Sequence, residues 1–349
     1  MRQVDFIIVG QGLAGTFCSF YLHKANKSFI VIDELNERSA SRVSSGILSP
    51  VTGRKYVKTW MIDTLMPFAE KAYTDIEQLL KKKYFFQKPI HKYFANNEAT
   101  QYFNERANNE SSAFLEVLGN EELLHDYLNN INAAIKISPT FFLDSKNLIQ
   151  DFGQWLKVKN NLLNESFQHN SLIISETCVR YKNIEATQII FCEGYKVKQN
   201  PWFNHIPVSA NKGDFLLVKI SSLPSENMIN HGVFLVPLYD DVFWVGSNYQ
   251  HTFESEAPLQ SNKLELEEKL QQTLKVPYET LKHSCGIRPT ILNRRPVLGT
   301  HPAIKQLAVF NGLGTKGISL APYFAQQLIE HLLYHKAIDE EVRADRFNY

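Results

Sequence analysis

The sequence predicts an α/β protein made of a Rossmann-like nucleotide-binding domain and a second, mainly antiparallel α+β domain. Three observations predict it. The first residues spell a strand, a glycine turn, an amphipathic helix and a second strand. The middle of the chain carries β-rich runs separated by turn residues. A second glycine turn, between a strand-like and a helical run, lies near the C-terminus.

Phe6 to Val9 is an apolar run too short for a helix and rich in β-branched residues, so it reads as a buried parallel strand. Gly10, Gly12 and Gly15 follow, and then Phe17, Phe20, Tyr21 and Leu22 recur at helical spacing. Gly10 permits the tight turn, Gly12 lets a pyrophosphate approach the backbone, and Gly15 lets helix and strand pack closely. Leu13 and Ala14 open the helix, whose free N–H groups and dipole favour phosphate. The second apolar run, Phe29 to Ile32, ends in Asp33, which is placed to accept hydrogen bonds from the adenosine ribose, with Glu34 as a neighbouring candidate. An acid there, with no adjacent Arg, disfavours NADP. These residues specify a dinucleotide and leave NAD and FAD both open.

The stretch "NERSASRVSSGILSPVTGRKYVKTW" is dense in Ser and Gly and reads as a loop passing back over the nucleotide, with Ser44, Ser45 and Gly46 as candidate phosphate donors. Met61 to Leu80 forms an amphipathic helix whose stripe of Leu65, Phe68, Ala69, Ala72, Ile76 and Leu79 is core packing. From Gln87 to Ser138 the chain turns rich in Asn, Glu and aromatics, an insertion assigned to the second domain. A helical pattern from Leu148 to Leu156 and a strand from Gln188 to Phe191, closed by Gly194, return it to the nucleotide domain. Val179 and Gly194 join the cofactor-binding candidates. "GDFLLVKI" and "GVFLVPLYDDVFWVGSNY", with Tyr239, Asp240 and Asp241 as a hairpin turn, predict antiparallel sheet, and Leu264 to Leu274 reads as a solvated charged helix. The expected division is 1–86, 139–210 and 283–349 for the nucleotide domain, and 87–138 and 211–282 for the substrate domain.

With 349 residues, 44% of them hydrophobic, and a net charge of +1, the chain reads as a soluble globular protein rather than a dedicated nucleic-acid binder. Cys18, Cys178, Cys192 and Cys285 are scattered, without metal-ligand or redox spacing, and read as buried thiols in a reducing compartment. No apolar stretch reaches the roughly 20 residues of a membrane span, and no signal-peptide pattern opens the chain, so a cytoplasmic location is expected.

Near the C-terminus, Leu307 to Phe310 reads as a strand, and Gly312, Gly314 and Gly317, with Thr315 and Lys316 among them, as a turn. Ile318, Phe324, Leu328, Ile329 and Leu332 then mark one face of a helix. No acid-terminated strand follows, so this is not a complete second dinucleotide site. A helix N-terminus beside such a turn still stabilises negative charge.

The N-terminal fingerprint, Gly286, Ile287, Arg288 and Pro289, then Pro296 and Gly299, and finally the Gly312-to-Gly317 turn together resemble the D-amino-acid oxidase (DAO) family of FAD-dependent oxidoreductases. That family includes glycine and sarcosine oxidases. Within it, "GLGTKGISLAP" is similar to a stretch in the FAD-oxidase half of the bifunctional enzymes that finish methylaminomethyl-uridine in tRNA. The resemblance implies FAD in a glutathione-reductase-type domain and oxidation of the C–N bond of an amine or amino acid by hydride transfer to flavin N5. It implies Arg288 on the substrate carboxylate, Gly286 and the C-terminal turn near the flavin, and Lys316 as a charge beside the isoalloxazine. The electron acceptor, oxygen or a carrier, is left open. Alternatives are an NAD-dependent dehydrogenase, a non-catalytic FAD-binding protein, and a tRNA-modifying oxidase with Arg54, Lys55 and Lys58 as its basic surface.

Overall fold

β-branched and aromatic residues between Arg2 and Val9 form the central strand of a sheet, exposed at its start and buried over its last four residues. The computed structural model describes residues 1–96 and 111–347. Among the described residues this sheet has eight strands. Its parallel core runs Leu162–Asn164, Phe29–Asp33, Arg2–Val9, Ile184–Phe191 and Leu307–Asn311. An antiparallel ribbon, Leu172–Ile174 with Val179–Tyr181, continues one side, and Val297–Thr300 pairs antiparallel with Leu307–Asn311.

Register explains the two glycine turns. Val9 pairs with Phe191, and Phe191 with Val309, so three parallel strands end side by side. Both glycine turns therefore leave the same, carboxyl, edge of one sheet, the edge where open α/β sheets bind ligands. Helix α1, Leu13–Lys24, is buried without a break from Leu13 to Leu22, a consequence of packing against the sheet and three further helices. These are α2 (Ile62–Leu80), α3 (Ser145–Val158) and the C-terminal helix Gly317–Tyr334. Helix α3 is longer than its apolar pattern because Asp144 caps it, its Oδ1 accepting from Asn147 N at 3.2 Å.

The second large sheet also has eight strands among the described residues, antiparallel except where Met228–His231 runs parallel to Ile90–Phe94. Ile90–Phe94, Leu115–Val117 and Ala133–Ile137, from the expected insertion, form one end of it. Its hairpin Val233–Tyr239 to Val242–Gly246 turns at Asp240 and Asp241, with Asp240 at φ 45°. The back of the sheet is covered by helix α4, Gln260–Thr273, through Leu266 and Leu270, and its front faces the nucleotide domain. The divisions placed at 210/211 and 282/283 fall inside two long paired strands, Val208–Lys219 and Glu279–Ile291. Hydrogen bonding is continuous across those points, so the two divisions mark no break in the backbone ladder. Cys18, Cys192 and Cys285 are buried and Cys178 is partly exposed, all as free thiols.

Candidate active site

Between the carboxyl edge of the first sheet and the front of the second lies a cavity of about 1320 Å³. Gly10, Gly12, Leu13, Ala14, Asp33 and Glu34 line it at one end, and Gly312, Gly314, Thr315, Lys316 and Gly317 line its middle. Ser44, Ser45, Gly194, Gly286 and Arg288 also line it.

The N-terminal turn admits only glycine where it matters most. At Gly10, φ is +98° and a Cβ would stand 2.4 Å from the Cys192 carbonyl oxygen, while a Cβ on Gly15 would stand 1.8 Å from the Gly10 carbonyl oxygen. Gly15 therefore serves helix-on-strand contact and does not line the cavity. Asp33 is held as the strand ends: its Oδ2 accepts from Gln11 N at 2.7 Å and its Oδ1 from Leu35 N at 2.6 Å. Glu34 is ion-paired with Lys196, whose hydrogen bond holds the Glu34 carboxyl below its usual range against the opposing effect of burial.

Two expected cofactor contacts lie elsewhere. Val179 is fully buried in the core behind the sheet, because its strand lies on the far side of Ile184–Phe191, away from the fingerprint. Gly46 lies behind the cavity wall, where a Cβ would stand 2.3 Å from the Leu143 carbonyl oxygen. In their place the segment Glu165 to His169, following the edge strand Leu162–Asn164, lines the end of the cavity beside Asp33, and Ser41 Oγ accepts from Leu13 N at 3.1 Å. Neither belongs to the glycine fingerprint; Ser41 sits in the Ser-rich loop, three residues before the serine named from the sequence.

Arg288 projects from the edge strand of the second sheet. Its register partner Asn211 supplies Oδ1 to Nη1 at 2.9 Å, and Ser247 Oγ accepts from Nη2 at 2.6 Å. The Tyr249 ring lies over the guanidinium at 4.7 Å, and Gly213 leaves the space it occupies, since a Cβ there would stand 2.3 Å from Nη2. Burial lowers its pKa, with Tyr249 opposing. Arg288 has no carboxylate partner among the described residues. A guanidinium that donates to only two neutral acceptors beside a cavity keeps further N–H donors free. Trp244 and Tyr249 line the cavity as well, whereas Tyr239 is exposed at its hairpin.

Lys316 caps the C-terminal helix, and its Nζ donates to Thr59 Oγ1 at 3.1 Å. Burial, and then Arg294, lowers its pKa to about 8. The turn itself is tied to the second sheet by Gly314 N, which donates to the Pro289 carbonyl at 2.9 Å. Of the basic residues considered as a nucleic-acid surface, Lys58 is paired with Asp63 at 2.7 Å, while Arg54 and Lys55 are exposed. Among the described residues no His, Cys, Asp and Glu group could hold a metal ion, and no helix is long and apolar enough to cross a membrane.

The profile of the family described as FAD-dependent oxidoreductase, DAO, matches residues 5–331. The chain belongs to this family. As a DAO-family protein it is an FAD-dependent oxidoreductase, and the cradle at Gly10, Gly12 and Asp33 with the facing C-terminal turn fits that cofactor. The structure is similar to glycine oxidase from Geobacillus kaustophilus, with a TM-score of 0.80 at 16% identity, over 97% of this chain and 96% of that one. It is similar to L-amino acid deaminase from Proteus vulgaris, TM-score 0.80 at 12% identity, over 99% and 98% of the two chains. L-α-glycerophosphate oxidase from Mycoplasma pneumoniae matches with a TM-score of 0.73 at 15% identity, over 96% of each chain. At such identities these likenesses speak to fold.

Proposed function

We propose that the protein oxidises the C–N bond of an amine that carries a carboxylate, in the manner of an amino-acid oxidase. The observation that carries this reading is Arg288, a partly buried guanidinium lining the cavity, fixed by Asn211 and Ser247 and lacking any anionic partner among the described residues. Glycine oxidase, iminodiacetate oxidase and L-amino acid deaminase among the structural neighbours support it.

FAD, when bound, supplies a two-electron acceptor for the hydride that leaves the carbon beside nitrogen. The chain's own residues hold the substrate for that step. Arg288 takes the carboxylate through its remaining N–H donors, and Tyr249 covers the guanidinium and limits its hydration. Asn211 and Ser247 fix the plane of the fork, so the substrate's carbon and nitrogen are presented in one orientation. The amine reacts as the free base, its lone pair forming the C=N bond as hydride departs, so no protein acid–base pair is required. Lys316 and the N-terminus of the C-terminal helix place positive potential beside the Gly312-to-Gly317 turn, where reduction of the cofactor adds negative charge.

Anaerobic mixing of the yellow holoprotein with a panel of amines tests this. Bleaching of the visible flavin bands by N-alkylglycines or α-amino acids, and not by the decarboxylated amines, is the expected outcome. Bleaching by hydroxy acids alone would transfer the chemistry from C–N to C–O.

A further inference from the structure

The front of the second sheet holds another cationic group, far from Arg288, that the proposed chemistry does not use. Lys92 lines the cavity, and its ammonium lies 4.6 Å from the centre of the Tyr56 ring and 5.7 Å from that of Phe94. Arg54, two residues before Tyr56 in the same turn, lines the cavity beside it. Among the described residues neither cation has a carboxylate partner, and burial, then Arg54, lowers the pKa of Lys92. Lys92, held over two aromatic rings, and the exposed Arg54 carry like charges that repel each other at one cavity wall, and an anion between them relieves both the repulsion and the desolvation of Lys92.

Strand register measures how far this pair stands from Arg288. Lys92 pairs with Asn230, Asn230 with Phe234, and Phe234 with Gly246, whose neighbour Ser247 holds the Arg288 guanidinium. Directly paired residues share a face of the sheet, and these four all line the cavity. Three strand spacings of about 4.8 Å separate Lys92 from Gly246, about 14 Å of backbone. With each cationic head taken over its own strand site, a salt-bridge contact of about 2.8 Å at each end leaves about 9 Å between the two bound anions. The floor between the two ends is apolar, formed by Phe234, Trp244 and Phe215.

We infer that Lys92 and Arg54 form a second anion subsite, and that the substrate is an elongated amino acid with a second anionic group, a carboxylate or a phosphate, at the end away from Arg288. This deepens the proposed function and rests on Arg288 as the carboxylate anchor. A neutral alkyl chain of roughly six to eight carbons spans the apolar floor between the two anions.

The test is calorimetric titration of the flavin-loaded protein with unreactive ligands, so that it does not depend on turnover. Straight-chain α,ω-dicarboxylates of increasing length, the matching ω-phosphonocarboxylates, and monocarboxylates of equal length are compared. A two-headed ligand near the expected length binds about tenfold or more tightly than its monocarboxylate, and Lys92→Gln or Arg54→Gln brings it to the monocarboxylate level. Whichever anion series carries the advantage identifies the second group. Absence of an advantage in both series, or an advantage that survives the double substitution, overturns the subsite. The anchor is tested apart from it: if Arg288→Met weakens no carboxylate, the reading of Arg288 fails, whatever Lys92 does.

Discussion

Removal of the Arg288 guanidinium is the sharpest perturbation available at this site. Two of its N–H groups are spent on Asn211 and Ser247, which leaves enough of its five donors for a bidentate contact with a carboxylate. Each hydrogen bond to a charged group contributes about 1.5–3 kcal/mol, so losing the pair costs about 3–6 kcal/mol, or roughly 10²- to 10⁴-fold in kcat/KM. Arg288→Met is the preferred change, because it keeps most of the side-chain volume beside Tyr249 and Gly213. Arg288→Lys retains a charge without the fork and is expected to lose about 10- to 100-fold. Gly213→Ala reaches the same group from below: its methyl would stand 2.3 Å from Nη2 and 2.5 Å from Nη1, so the guanidinium must move. The assay is stopped-flow reduction of the bound flavin by an amino acid and by its decarboxylated amine, with the flavin spectrum as a control for folding. Arg288→Met should erase the preference for the acid and leave the slow reaction of the plain amine. Equal losses for both compounds, or a kcat/KM within about threefold of wild type for every carboxylate tested, would falsify the assignment.

Further outcomes follow from the same geometry. Lys316 titrates near 8 in the folded protein against 10.5 ordinarily, so burying its charge costs stability below pH 8, and that cost is relieved as pH rises towards 10.5. Thermal melts of the flavin-free protein should therefore find Lys316→Met more stable than wild type by about 2 kcal/mol at pH 7, with the gap closing by pH 10. Gly10→Ala, driven into the Cys192 carbonyl, should purify colourless. Gly314→Ala, whose nearest neighbour would be 3.7 Å away, should stay yellow and lose only about 1 kcal/mol to its positive φ. Ser41→Ala should weaken flavin binding, measured by equilibrium dialysis, whereas Val179→Ala should lower the melting temperature and leave flavin affinity unchanged.

The local pieces were legible in the amino-acid sequence. Gly10, Gly12 and Gly15 between two apolar runs, closed by Asp33, encode a dinucleotide turn because each glycine answers a steric demand within some twenty residues of chain. The C-terminal turn, the hairpin at Asp240 and the helices are legible for the same reason: short-range periodicity and backbone sterics suffice. Contacts across the chain were not. Val179 stands among the nucleotide contacts named from the sequence, yet strand order puts it on the far side of Ile184–Phe191 and brings Glu165 to His169 to the cavity instead. Arg288 is visible in its motif, but Asn211, Ser247 and Tyr249, which fix and cover it, lie some 40 to 80 positions away and reach it only through strand pairing and the loop after Gly246. The same pairing lays out the row from Lys92 to Gly246. Register is a property of the assembled sheet, since hydrogen bonds between strands, and not neighbours along the chain, decide which side chains share a face.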